Sequence, residues 1–280
     1  MKHLVIGSNS FLGVELCKQL VKKEKEVIGG FNKNKENLLK GIKHFPIKDL
    51  LLMDFQPDIV YIVSAYVPKN SDINIKERLE KVNVNFVKQI CNKYKSSKIV
   101  FCSSVSVYRT DGMEKNEKSL LSPETLYGKS KLKGEEIVSL HEKYSIVRIS
   151  SMHGVLMKSL TILPIMIEKA IFDNEITIYG EGERKQNYIS VKDVASILIK
   201  SSDLKLDNDN FLAVSKNSIS NIELAKIIQQ IIPKIKIKFK GIDNSKSYFY
   251  NNAYTREKLE LGEFSCLEKD IKEILEWKRR

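Results

Sequence analysis

Short apolar runs alternate with longer stretches of helical period along the first half of the chain. His3–Ile6, Val27–Phe31, Ile59–Val63 and Lys98–Cys102 are apolar runs of strand length, with a later one at Ile146–Ser150. Between them, Leu12–Lys23, Ile75–Tyr94 and Ser130–Lys143 carry the spacing of amphipathic helices. That alternation predicts an α/β fold, a doubly wound parallel sheet with helices on both faces. The stretch between Asn32 and Pro57 is short, so one crossover is expected to be reduced. After Ser150 the rhythm changes. Leu160–Phe172, Val191–Ser202 and Asn221–Ile232 read as helices, Ile235–Lys240 alternates like a strand, and Gly180-Glu181-Gly182 reads as a turn. The expected division is a sheet domain of residues 1–150 with about 186–215, and a smaller C-terminal domain of 151–185 with 216–280.

Composition narrows the class. At 280 residues the chain can bury a sizeable core, and 42% hydrophobic with 29% charged residues is ordinary for a globular protein. Neither a membrane-length apolar run nor a signal-peptide pattern is visible, which predicts a cytoplasmic protein without a membrane partner. Cys17, Cys91, Cys102 and Cys266 lie far apart, and His3, His44, His141 and His153 form no paired motif, so no metal is expected. The net charge of +12 raises nucleic acid as a partner. However, lysines are interleaved with acids, as in Lys22-Lys23-Glu24-Lys25-Glu26, and no basic stripe with stacking aromatics appears. Nucleic acid is therefore not expected; the charge suits a phosphate-bearing small substrate, or a solvated surface.

Three stretches carry candidate chemistry. The first strand runs into Gly7-Ser8-Asn9-Ser10-Phe11-Leu12-Gly13 ahead of a helix. Glycine at its ends allows a tight turn and close helix–strand packing, and the helix N-terminus offers free N–H groups to a pyrophosphate. The middle glycine of such loops is Ser10 here. After the second strand comes Phe31-Asn32-Lys33-Asn34-Lys35, with no acid before Glu36. An acid there would bind a ribose hydroxyl, whereas a basic cluster accepts a phosphate, so NADP(H) is favoured over NAD(H), with Lys33 as the phosphate partner. The fifth apolar run ends in Ser103-Ser104, either at the ligand-binding edge of a sheet or as a simple strand cap. Finally, Tyr127 and Lys131 are four apart and share a face on a helix. A lysine ammonium there can pull a phenol pKa down from about 10, making the tyrosine an acid/base. The same spacing also occurs on plain solvated helices.

In this order the pieces resemble the extended short-chain dehydrogenase/reductases, the NAD(P)-dependent nucleotide-sugar epimerase/dehydratase/reductase group. The resemblance runs from the glycine loop through Asp58-Ile59-Val60 to Ser64-Ala65, then Val82-Asn83-Val84-Asn85 and Ser103-Ser104 through Tyr108. It continues through Tyr127-Gly128-Lys129-Ser130-Lys131, Val147-Arg148-Ile149 before Gly154, and Tyr179-Gly180-Glu181-Gly182. Tyr188-Ile189-Ser190-Val191-Lys192-Asp193-Val194-Ala195 and Arg256–Gly262 close it. The resemblance implies a Rossmann-like sheet and a smaller substrate-binding domain. By it, Ser104, Tyr127 and Lys131 are catalytic: Ser104 bonds the reacting sugar oxygen, Tyr127 passes its proton, and Lys131 lowers the Tyr127 pKa and contacts the nicotinamide ribose. Gly7, Ser10, Phe11, Leu12, Gly13, Asn32, Lys33, Ser64, Ala65 and Asn83 would join Tyr127 and Lys131 in holding the dinucleotide. Ser104, Ser151 and either Arg184 or Gln186 would hold the nucleotide sugar, and a homodimer is suggested.

Departures from the family pattern sort the chemistry. Dehydratases carry an Asp-Glu pair where Val105 and Ser106 stand, so loss of water is not expected. Enzymes that invert neighbouring carbons use a cysteine at the Ser106 position and a later histidine, while His153 precedes Gly154. Two readings stay open: reduction of a keto group on a nucleotide-linked sugar, and epimerisation through a transient ketone. The missing acid after the second strand and Ser151, where epimerases commonly carry asparagine, favour reduction. A non-catalytic dinucleotide sensor is a third reading, against which both Tyr127 and Lys131 are retained.

Overall fold

Seven runs pair side by side in the computed structural model, which describes residues 1–69, 71–159 and 161–279. They are β1 (Lys2–Ile6), β2 (Glu26–Phe31), β3 (Lys43–Pro46), β4 (Ile59–Ile62), β5 (Lys98–Ser104), β6 (Tyr144–Ile149) and β7 (Asp209–Ala213). The sheet is parallel throughout, in the order β3-β2-β1-β4-β5-β6-β7. Strand side chains alternate between faces, and this chain puts apolar residues on both. Val5, Tyr61, Val100, Cys102, Val147 and Phe211 face one way, against the helices Phe11–Lys22 and Val191–Ser201. Leu4, Ile6, Val60, Ile62, Ile99 and Phe101 face the other, against Phe86–Lys93 and Leu126–Ser139. The two buried faces make the doubly wound fold.

The chain winds outward from β1 to β3 and then returns to lay β4 on the other side of β1. That reversal opens a crevice between the carboxyl ends of β1 and β4, the place where open α/β sheets take ligands. A second apolar core gathers Leu163, Ile167, Ile176, Ile178, Leu224, Ile228, Ile271 and Ile274. It is built from the helices Ile162–Phe172, Asn221–Ile231 and Leu267–Lys278 and a two-stranded parallel ladder, Glu175–Tyr179 with Lys236–Lys240.

Several boundaries move. The expected helix Ser130–Lys143 runs instead over Leu126–Ser139, because Thr125 caps it by accepting from Gly128 N at 3.0 Å. Its first turn faces Ser106 and Pro123 and not the sheet core, so the apolar period starts late. The run Ile146–Ser150 forms the strand Tyr144–Ile149. Leu160, the first residue of the expected helix Leu160–Phe172, lies outside the described residues; the helix spans Ile162–Phe172. The reduced crossover is present: β2 leads to β3 with no helix between them, and the short helix Ile47–Leu52 follows β3. Among the described residues no helix is long and apolar enough to cross a membrane.

Candidate active site

Backbone geometry makes the crevice wall. Gly7 has φ +96°, and a Cβ there would sit 3.0 Å from Ser64 at the end of β4. Gly13 is more constrained, since a Cβ would lie 2.1 Å from the Gly7 carbonyl oxygen. Ser10, where a middle glycine was expected, is the N-cap of the first helix and accepts from Gly13 N at 3.1 Å. Phe11 and Leu12 open that helix, leaving its first N–H groups at the crevice. Ser64 N donates to the Ile6 carbonyl at 3.1 Å, while its Oγ is buried without a partner, and exposed Ala65 follows. A cradle that any Cβ would fill, a helix N-terminus and an orphaned hydroxyl together fit a dinucleotide pyrophosphate. Asn9 Nδ2 donates to Asn34 O at 2.8 Å, tying the loop after β2 to this wall with Asn32 and Lys33 exposed on it.

The second wall is the end of β5 against the helix Leu126–Ser139. Ser104 is buried at the strand terminus and accepts from Ser106 N at 3.1 Å, capping the turn Val105–Val107. Gly128 lets the helix close on that turn, for a Cβ would meet the Ser106 carbonyl oxygen at 2.2 Å. Tyr127 thereby lies beside Ser104. Burial pushes the Tyr127 hydroxyl up to about 12, with the interaction from Ser104 pulling the other way. Lys131 is held down at about 8 by burial, opposed by Cys102 and Glu135. Its Nζ donates to the Cys102 carbonyl at 2.5 Å and sits 4.1 Å above the Phe101 ring.

Here the structure corrects the sequence reading. Lys131 shares the helix face with Tyr127, yet its ammonium turns into the β5 backbone and does not lower the Tyr127 pKa. Desolvation dominates, and Tyr127 is a neutral phenol at pH 7. A neutral phenol can donate a proton.

Asn83 supports this wall from behind. It is buried in the π-helical segment Glu80–Asn85, accepts from Tyr66 N at 2.8 Å and donates to Tyr66 O and Ser130 Oγ, each at 3.0 Å. Ser130 Oγ donates in turn to the Tyr127 carbonyl at 2.7 Å. Its amide, expected at the dinucleotide, is occupied in fixing the loop after β4 to the Tyr127 helix.

One pair went unread in the sequence. Glu135, one turn beyond Lys131, forms a buried ion pair with Arg148 of β6 at 2.8 Å. Arg148 also donates to Tyr108 Oη at 2.8 Å and Glu117 O at 2.9 Å, and Ser103 Oγ donates to Glu135. An arginine inside the apolar run Val147–Ile149 was the available signal, because a charge in a buried strand demands a partner.

The residues expected at the sugar nucleotide lie on short segments of the other core. Ser151 starts the strand Ser151–His153, which pairs with Tyr188–Ser190. Gln186 Nε2 donates to Asn221 Oδ1 at 3.2 Å. The Arg184 guanidinium lies 5.7 Å from the Tyr248 ring centroid, and its Nε donates to Lys246 O at 3.3 Å. Tyr248 and Val105 line one surface depression, which connects Arg184 to the turn that follows Ser104. Arg184 is the free cation of the two candidates; Gln186 is neutral and engaged. His153 pairs with Asp270 at 3.0 Å, both buried.

Comparison with known proteins agrees with this geometry. The spore coat polysaccharide biosynthesis protein SpsK of Bacillus subtilis is 30% identical over 71% of this chain and 69% of its own length. The dTDP-4-dehydro-6-deoxyglucose reductase of Escherichia coli is 30% identical over 70% of this chain and 64% of its length. The fold matches that of UDP-glucuronic acid 4-epimerase from Bacillus cereus in complex with NAD, with a TM-score of 0.86 at 18% identity, over 100% of this chain and 99% of that one. Residues 3–209 match the model of the NAD dependent epimerase/dehydratase family, and the chain belongs to that family.

Proposed function

We propose that this protein reduces a keto group of a nucleotide-linked sugar, with a nicotinamide dinucleotide as hydride source and Tyr127 as proton donor. The observation that carries this reading is a buried, neutral Tyr127 beside Ser104 at the carboxyl edge of β5, across the crevice from the Gly7–Gly13 loop. The bound dinucleotide would supply hydride to the sugar carbon. Ser104 orients the sugar oxygen, and Tyr127 transfers its proton to that oxygen. Val105 and Ser106 offer no carboxyl group to expel water. We place the dinucleotide on residues 1–150 with about 186–215, and the sugar nucleotide on 151–185 with 216–280, its phosphates on Arg184.

The test is cofactor bookkeeping in solution. Incubated with keto sugar nucleotides, dTDP-4-dehydro-6-deoxyglucose first, the protein should oxidise one reduced dinucleotide per sugar. Interconversion of sugar isomers without net oxidation would establish the second reading, an epimerase, which the Bacillus cereus relative keeps in view.

Cofactor choice follows from the loop after β2. Lys33 stands exposed beside the pyrophosphate wall, with no acid before Glu36, and Glu36 engages the Asn34 side chain. Wild type should bind NADPH about tenfold tighter than NADH, and Lys33→Glu should erase or reverse that ratio. Equal dissociation constants in wild type would remove NADP(H) from the reading.

A further inference from the structure

Each reduction that draws its proton from Tyr127 leaves a phenolate that must be refilled before the next turnover. Lys131 is engaged with the Cys102 carbonyl, so the nearest exchangeable protons on the Ser104 side deserve a count. Ser104 Oγ has one proton. It accepts from Ser106 N at 3.1 Å and interacts with the Tyr127 hydroxyl, and it donates to Ser106 Oγ at 3.1 Å. Tyr127, Ser104 and Ser106 thus form a row of three hydroxyls. Exposure rises along it from buried Ser104 to half-buried Ser106. The row is fixed at both ends: Ser106 N caps Ser104, and the Ser106 carbonyl lies against the bare Cα of Gly128, next to Tyr127.

We propose that Ser106 is the solvent-side member of a proton relay that restores Tyr127 through Ser104. This rests on Tyr127 being the proton donor. During reduction the Tyr127 O–H bond breaks as the sugar oxygen gains that proton. Ser104 then gives its proton to the phenolate oxygen, Ser106 gives its proton to Ser104, and water at Ser106 supplies the replacement. One proton enters from solvent per turnover, and the relay moves no electron. Each hydroxyl reverses its donor–acceptor sense, as hydroxyl rotors can. Ser106 acts through Ser104 and not on the sugar itself.

Ser106→Ala keeps the backbone N–H that caps Ser104, so Ser104 should hold its place. With the keto sugar nucleotide that wild type reduces and saturating NADPH, this variant should lose on the order of 10–100-fold in kcat with KM within about twofold. Imidazole buffer, a small diffusible proton carrier, should restore much of that rate at constant pH. Ser106→Thr, which retains a hydroxyl, should stay near wild type. Unchanged kcat in Ser106→Ala, a loss confined to KM, or a loss that imidazole does not relieve would each overturn the relay. Tyr127→Phe separates the two claims. Inactive Tyr127→Phe with unaffected Ser106→Ala removes the relay alone, whereas active Tyr127→Phe removes the proton-donor reading beneath it.

Discussion

Replacing Tyr127 by phenylalanine should lower kcat for reduction of a nucleotide-linked keto sugar by about 10²–10⁴-fold, the usual scale of acid–base catalysis. The dinucleotide dissociation constant should stay close to wild type. The helix that carries Tyr127 is held by the Thr125 cap, by Gly128 against Ser106 and by the Asn83–Ser130 link, none of which uses the phenol oxygen. A pH profile adds a second check. Tyr127, pushed up to about 12, remains protonated throughout the working range, so it should not shape the profile below pH 10. Lys131, held near 8, loses its charge as pH rises through that value. If its cationic form supports turnover, kcat should fall above pH 8 in wild type. Near-normal turnover in Tyr127→Phe would exclude this residue as the donor.

The sequence showed most of the fold and the identity of the site residues, but not how they point. The alternation of apolar runs and helical periods was enough for β1, β2, β4, β5 and β6, because each is buried on both faces and reads as a continuous apolar stretch. β3 escaped notice for the opposite reason: Lys43–Pro46 is an edge strand, only half-buried, and ends in proline. The Gly7–Gly13 loop was legible because glycine is demanded by backbone distances, and Ser10 stands where a cap is needed in place of a second close approach. The Tyr127–Lys131 spacing correctly put both on one helix face. It could not reveal that burial outweighs the lysine at Tyr127, since desolvation depends on what covers a residue and not on its neighbours in sequence. Asn83 is the same lesson. Its position in a recognisable segment was visible, while the two chains it ties together, Tyr66 and Ser130, are distant in sequence.

The Glu135–Arg148 pair should be the most stability-critical polar contact behind the site. Both side chains are buried, at 5% and 4% exposure, so the pair is scarcely screened by solvent. Glu135→Ala would strand the Arg148 guanidinium in the interior with only Tyr108 and the Glu117 carbonyl as partners. Removing one partner of such a pair costs about 3–5 kcal/mol, far above the range of a surface ion pair. A fall in the urea midpoint or Tm of matching size checks this, and an unchanged midpoint would refute it. The paired replacement Glu135→Leu with Arg148→Met should recover much of the loss, because no buried charge is then left alone. The site should respond as well. Glu135 is one of the groups that hold the Lys131 pKa up against burial. Without it Lys131 gives up its proton at lower pH, so any alkaline limb of the kcat profile should move down from about 8 in Glu135→Ala and in the paired variant alike. Stability recovered by the paired variant with the limb still displaced would separate the two jobs of Glu135: charge partner to Arg148, and electrostatic support for the lysine one turn away.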